Sequence, residues 1–374
     1  MKSLNVRTRY KIIGGDFSAQ EPRLTAFYAQ DKAMIDAYAQ GRDLYAVIGS
    51  MCFNKPYEDC LEFYPEGTKI IVDGKEIICG NKTNQNKEGK GRRSQAKSVL
   101  LGLLYGRGAK SVGEQIGKTT EEAQEILDKF FKAFPSVKNW IDQTHESAYR
   151  LGYVEDIAGR RRRLPDLLLE PFEIKSLSNT PSFNPLLGTV GTGPSRDTET
   201  NQIKNALNKA RNYTEIRKLK EEAAKKGFDI KDNRGFISQA ERQSVNARVQ
   251  GGAATLTKRA LIELFNNEEL RDLGASLINT VHDEILIEAP AENSERCAEL
   301  LCSIMKSSAK KYVSAPEMSV DAYIVDAWYE DEYAAAILAE YKNLQKTMSP
   351  EDALRNIIQN HTEQTADYLK EIIA

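Results

Sequence analysis

The stretch "TVHDEILIE", Thr280–Glu288, decides how this chain is read. Its flanks, "SLIN" before it and "ILIE" at its end, have the apolar, β-branched character of two short buried strands. Between them stand His282, Asp283 and Glu284, with no Gly or Asn of the kind that ordinarily turns a hairpin. Two readings are open. Asp283 can be a turn former with Glu284 simply solvated. Alternatively, the adjacent carboxylates serve a metal or proton-transfer site, because clustered carboxylates repel unless a cation or a shared proton neutralises them. The second reading needs another carboxylate elsewhere in the chain.

The stretch "YKIIGGDFSAQEPR" supplies one. Its pattern predicts a strand over Tyr10–Ile13, a turn through Gly14-Gly15, and then a helix. Ser18 and Glu21 have the spacing of a capping box, and Pro22 suits a first helical turn. Asp16 is thereby expected at a strand end, just before the helix.

Two helical stretches carry polar side chains at a spacing of four. In "RRSQAKSVLLGLLYG", on a helix expected from near Arg92, Arg93, Lys97, Leu101 and Tyr105 fall within an arc of roughly 120°. A guanidinium and an ammonium suit a polyphosphate, and a ring one turn beyond suits a stacked base. The plainer reading is a salt-bridged surface, but few acids lie nearby in sequence. In "RQSVNARVQGG", Arg242, Asn246 and Gln250 share a face able to reach phosphates, sugars or base edges. Alone, that face reads more readily as a solvated polar face.

Elsewhere the chain is conventional. It has 374 residues, 41% hydrophobic and 28% charged, enough for two or more lobes. No run approaches the ~20 apolar residues of a membrane span, and a cytoplasmic setting is expected. Five cysteines without a CxxC pair read as reduced thiols, which makes a zinc site a poor expectation. The net charge of −2 hides an uneven distribution. Lys82 to Lys110 holds eight bases against one acid, +7, whereas Glu330 to the end holds nine acids against four bases, −5. A β-hairpin is expected at "TKIIVDGKEIICG" around Asp73-Gly74. Helices are expected over Thr120–Phe134, Ser136–Leu151, Gln202–Lys226 and 238–265, the last interrupted at Gly251-Gly252. Residues 176–201 read as a flexible loop, "AGRRRRLPD" as a basic turn, and the stretch from Ser349 as a capped amphipathic helix. No internal repeat is visible.

Taken in order, "DFSAQEPR", "RRSQAKSVLLGLLYG", "RQSVNARVQGGAA" and "VHDE" resemble the successive motifs of family A, polymerase I-like DNA polymerases, and "GRRRRLPD" resembles a segment between the second and third. The resemblance spans about Lys11 to Trp328, apart from insertions near 52–91 and 168–235. It implies an α+β fold, a polymerase palm with an antiparallel sheet plus a helical fingers lobe. The expected division is 1–50 palm with the first motif, 51–155 fingers with the inserted hairpin, 156–330 palm with the second insertion, and 331–374 a helical extension.

The resemblance further implies that Asp16 and Asp283 hold two Mg²⁺ ions, for which Mn²⁺ can substitute, with Glu284 beside them. Such a pair, ~3.5–4 Å apart, activates a primer 3′-hydroxyl and stabilises leaving pyrophosphate. It implies that Arg93 and Lys97 bind the dNTP triphosphate and that Tyr105 packs by the nascent pair. Glu21 acts as a gate against a ribose 2′-hydroxyl, His282 touches the primer end, and Arg242, Asn246 and Gln250 contact primer-template DNA. Three positions depart from the family. Leu101 stands where Phe or Tyr is usual, Tyr45 where a phosphate-binding His is usual, and Ala19-Gln20 where Gln-Ile is common.

The family's thumb precedes the first motif, so thumb and exonuclease domain are expected to be absent; either the sequence is a piece of a larger protein or, as favoured here, an upstream polypeptide supplies the thumb and early palm, as in a phage-type split polymerase. Two rival readings are a single-subunit RNA polymerase, disfavoured by Glu21 and by "HDE", and a non-catalytic DNA-binding subunit that has kept the fold.

Overall fold

The computed structural model describes residues 4–5, 9–72, 75–81, 84–177, 183–184, 189–190 and 196–328, and short pieces at 340–341, 343–349, 352–353 and 355–357. The chain divides into two packing units, residues 1–27 with 253–374, and residues 28–252. Most of the helix Leu44–Phe53 is buried within the helical unit, and Ala240 of the helix Arg234–Phe265 joins a core with Ala148, Val154, Leu164 and Leu167.

The first unit is built on a four-stranded antiparallel sheet. Its central strand, Tyr10–Ser18, lies between strand Glu284–Pro290 and the outer strand Ser319–Val325, and strand Ser276–Val281 completes the hairpin. Period-two alternation puts Ile13 and Phe17 on one face and Ile12, Gly14 and Asp16 on the other. The helix Ser294–Lys310 covers the first face, burying Cys297, Leu301 and Met305. Fully burying a side chain of this size contributes about 1.5–3 kcal/mol.

Gly14 and Gly15 do not turn the chain. The strand runs straight through them to Ser18. A Cβ at Gly15 would stand 2.9 Å from Leu301 Cδ2 and Met305 Sδ, and one at Gly14 would fall inside the Tyr323 ring. Glycine in a strand here marks close approach, which a sequence scan reads as a bend. Asp16 therefore sits inside the sheet instead of at a strand end. The expected capping box is also replaced: Ser18 belongs to the strand and its hydroxyl donates to Asp321, while Ala19 turns the chain into helix Gln20–Ala29 at φ +52°.

The second unit is mainly helical. Helix Lys87–Leu104 starts five residues before the expected position, because Asn86 caps it by accepting from Gly89 N–H at 2.9 Å. Helix Thr120–Ala133 starts in a complete Thr119/Glu122 capping box, and helix Pro135–Leu151 ends at Gly152 in the left-handed region. The strands Lys69–Val72 and Lys75–Ile78 form the expected hairpin, whose turn residues Asp73 and Gly74 lie outside the described residues.

The excursion near 168–235 closes on a ladder between strands Phe172–Ser176 and Phe228–Asp232, with Leu207 and Ile216 packed on Phe172. Its expected single helix is two, Arg196–Lys209 and Tyr213–Lys225, because Asn212 caps the second by accepting from Glu215 N–H at 2.9 Å. Most of the expected loop at 176–201 and of the acidic tail from 330 lies outside the described residues. The helix Arg234–Phe265 is continuous through Gly251-Gly252. A Cβ at Gly251 would come within 3.2 Å of Asp156, so this glycine too is there for close approach. Among the described residues no helix is long and apolar enough to cross a membrane.

Candidate active site

In the sheet unit, register assembles the acids. Asp16 pairs with Glu284 on one side and with Asp321 on the other. The hairpin turns through His282-Asp283 alone, since Val281 pairs directly with Glu284. His282 has φ +55°, the left-handed region that Gly favours at the first position of such a turn. A non-glycine residue there is held against its preference, which strained turns at functional sites tolerate. The turn thus projects Asp283 toward Asp16, with which it shares a hydrogen bond.

Four carboxylates on adjacent strands and their connecting turn have an electrostatic cost. Burial, then the negative charges of Asp283, Glu284 and Asp321, push the Asp16 carboxyl from 3.8 up to about 6. Between these values the folded protein holds a proton that the unfolded chain has released, so metal-free stability falls as pH rises through that window. Asp16→Asn should accordingly raise the melting temperature in EDTA at pH 8, with the gain shrinking toward pH 4 and added Mg²⁺ closing the gap. Thermal unfolding across pH tests this; a gain of the same size at both ends would remove Asp16 as its source.

The donor set suits a hard divalent cation, because it is all oxygen and anionic and Asp16 is under repulsion that a cation relieves. Among the described residues no three His, Cys, Asp or Glu side chains converge as a closed cage. Glu284 itself is engaged elsewhere: Tyr323 O–H donates to its Oε1 and Trp328 Nε1–H to its Oε2 at 3.2 Å. His282 is exposed at the tip, and Glu21 is half-buried in the first turn of its helix.

In the helical unit, Arg93, Lys97 and Leu101 lie along helix Lys87–Leu104, with Tyr105 as its C-terminal cap. Arg93 is not short of acids. Its Nε donates to Asp43 Oδ2 at 2.5 Å, and Glu62 stands 3.8 Å from Nη1. Neither acid is near in sequence, so a linear scan misses both. Lys97 is exposed and has no carboxylate partner among the described residues. Tyr45 is buried beneath both cations, its ring centre 5.3 Å from the Arg93 guanidinium carbon and 5.9 Å from Lys97 Nζ. Asp43 ties the arrangement together, since its other oxygen caps Tyr45 and Ala46 N–H.

Arg242, Asn246 and Gln250 follow one face of helix Arg234–Phe265. Arg242 donates to Ser238 and passes over Gly106, whose φ is +65°. Asn246 and Gln250 line a groove of about 600 Å³ with Arg160, Arg161 and Arg162 of the basic turn. Asn246 Oδ1 is buried there with no hydrogen-bond partner among the described residues. Asp156 holds the turn by accepting from Ala158 and Arg160 N–H, and Arg160 reaches Gly251 O at 3.1 Å. The basic turn and the third motif are thus one surface, a link that sequence spacing does not reveal.

Known proteins place this arrangement in context. The chain is 27% identical over 317 residues to the thermostable DNA polymerase I of Thermus aquaticus, covering 85% of this chain and 27% of that protein. It is 24% identical over 319 residues to DNA polymerase I of Geobacillus stearothermophilus, covering 85% of this chain and 26% of that protein. The chain thus spans about a quarter of the length of these relatives. A solved structure described as the POL domain of Pol1 from M. smegmatis, in complex with DNA primer-template and dNTP, has the same fold. It aligns at TM-score 0.58 and 20% identity over 87% of this chain and 41% of that one. The model of DNA polymerase family A matches residues 77–189 and 196–330, which include Lys97 and Asp283 but not Asp16. The chain belongs to DNA polymerase family A.

Proposed function

We propose that this chain carries out template-directed DNA synthesis, transferring nucleotidyl groups from dNTPs to a primer 3′-hydroxyl. The observation that carries the reading is the contact of Asp16 with Asp283 across a polymerase-family sheet, two carboxylates brought together at an electrostatic cost that a bound cation removes. Asp16 and Asp283 hold the ions, Mg²⁺ or Mn²⁺ in its place. When bound, these supply activation of the 3′-hydroxyl and charge neutralisation of the leaving pyrophosphate.

The remaining residues bind and orient. Lys97 gives the triphosphate an unencumbered ammonium, and Arg93 adds a guanidinium already fixed in direction by Asp43. Tyr45 underlies both cations where an imidazole would otherwise touch phosphate. Leu101 and Tyr105 form the apolar end of the same helix, against the base and sugar. Arg242, Asn246 and Gln250 hold primer-template DNA, His282 the primer end.

Glu21 gates the sugar. Glu21→Ala opens space beside the 2′-carbon, so the ratio of kcat/KM for dNTP over rNTP should fall by about 10–200-fold, as for loss of a small steric contact. An unchanged ratio would move the gate to another residue, with Tyr45 the next to test.

Primer extension with Mg²⁺ or Mn²⁺ tests the function. Because the chain spans about a quarter of its relatives, the assay is run with the chain alone and beside a polypeptide supplying thumb and early palm. Extension in either arm supports synthesis, and extension only in the second supports the split arrangement. DNA binding without extension in both arms, by folded protein, would favour a non-catalytic DNA-binding subunit.

A further inference from the structure

The carboxylate face of the sheet contains one interaction that the reaction as proposed does not use. Tyr323 and Glu284 belong to strands on opposite sides of the central strand, Tyr323 in register with Gly14 and Glu284 with Asp16. Their backbones are therefore two strand spacings apart, about 9–10 Å. A side chain can bridge that gap only by lying across the strand between. Tyr323 does so: its ring occupies the place of a Gly14 side chain, and its hydroxyl donates to Glu284 Oε1.

The other oxygen is taken from a different direction. Trp328 Nε1–H donates to Glu284 Oε2 at 3.2 Å, and Trp328 is itself buried against Ile12, Leu286 and Tyr323. Both donors are thus rooted in the apolar part of the same face, and together they fix the direction of both carboxylate oxygens, each of which accepts one bond from the fold. Asp16 and Asp283, by contrast, turn to each other. Asp321, on the other side of Asp16, accepts from the Ser18 hydroxyl through one oxygen. Among the described residues of this face, Glu284 is thus the acid with a donor supplied to each oxygen by the fold itself, a tyrosine on one and a tryptophan on the other.

We propose that Tyr323, supported by Trp328, is a positioning residue that fastens Glu284 to the sheet and withholds it from the cations held by Asp16 and Asp283. The proposal rests on the reading of those two residues as cation ligands. It gives Gly14 a function as well, since any larger residue would evict the ring that reaches Glu284. With Glu284 withheld and Asp321 bonded to Ser18, Asp16 and Asp283 hold the cation and leave its remaining positions for substrate phosphates. A third carboxylate would bind the cation in advance of substrate and occupy a position that a phosphate oxygen needs.

The test uses Mn²⁺ alone, without DNA or nucleotide, titrated against the folded chain and read by the electron paramagnetic resonance of free Mn²⁺. Tyr323→Phe keeps the ring over Gly14 and removes only the hydroxyl. It should bind Mn²⁺ roughly three-fold or more tighter than wild type, since each added carboxylate raises the affinity of an oxygen-bound cation. The double variant Tyr323→Phe/Glu284→Gln should return to the wild-type value. A merely structural role would loosen the sheet and weaken binding. Unchanged or weaker binding by Tyr323→Phe, or a gain that survives in the double variant, overturns the proposal. Asp16→Asn separates the two readings. Loss of Mn²⁺ in Asp16→Asn without a gain in Tyr323→Phe removes the anchor alone. Equal binding by wild type and Asp16→Asn removes the cation site, and the anchor with it.

Discussion

Asp283→Asn and Asp16→Asn are each expected to slow nucleotide addition by about 10³-fold or more, a loss of roughly 4 kcal/mol of transition-state stabilisation of the kind a bound metal supplies. Asparagine matches aspartate in shape, so the sheet should not be disturbed. At 283 it suits a turn. At 16 it removes a charge facing Asp283, Glu284 and Asp321, which relieves the folded state of the repulsion that raises the Asp16 carboxyl to about 6. Asp16→Asn should therefore be both slower and harder to melt at pH 8. That combination distinguishes a catalytic ligand from a structural acid, because loss of a structural acid slows an enzyme by unfolding it. Single-turnover primer extension, alongside thermal unfolding of the same samples, provides the measurement. A variant that keeps more than about a tenth of the wild-type rate, only ~1.4 kcal/mol, would place the ions elsewhere.

What could be read from the sequence divides along physical lines. The strands at "SLINTV" and "EILIE" announced themselves because alternation and β-branching are local properties, and the acids between them were visible as an anomaly. Gly14-Gly15 and Gly251-Gly252 were misread for one reason. Glycine is ambiguous between bending the chain and admitting a neighbour, and the neighbours, Tyr323, Leu301 and Asp156, lie far away in sequence. The pairing of Ser18 with Asp321 is hidden in the same way. Nothing in "SVDAYIVDAW" marks its first Asp as the one in register with Asp16; only the order of strands does so. Arg93 shows the converse error. Counting acids along the helix left it unpaired, whereas tertiary packing gave it Asp43 and Glu62. Residue types and spacing thus identified the acids and cations, and the fold determined which of them are already engaged.

That distinction decides where the second large effect should fall. Arg93 and Lys97 stand one turn apart over the same tyrosine ring, and from sequence either could bind the triphosphate. Arg93 is half-buried and already bonded to Asp43, so a phosphate must share it or displace a carboxylate. Its removal also takes from Asp43 the guanidinium that it accepts from and disturbs the cap of helix Leu44–Phe53, mixing structural with functional loss. Lys97 is exposed and has no carboxylate partner among the described residues, so its removal costs the fold little. Lys97→Ala should lower kcat/KM for dNTP by about 10–150-fold, the worth of a charge-assisted hydrogen bond of roughly 1.5–3 kcal/mol, with KM raised and kcat lowered. Both constants move because the developing charge on the phosphates makes the contact stronger in the transition state than in the ground state. DNA affinity measured without nucleotide should stay near the wild-type value. Lost DNA affinity with unchanged nucleotide kinetics would instead assign Lys97 to the template strand, and the triphosphate would then fall to Arg93, with Asp43 as the group it must leave.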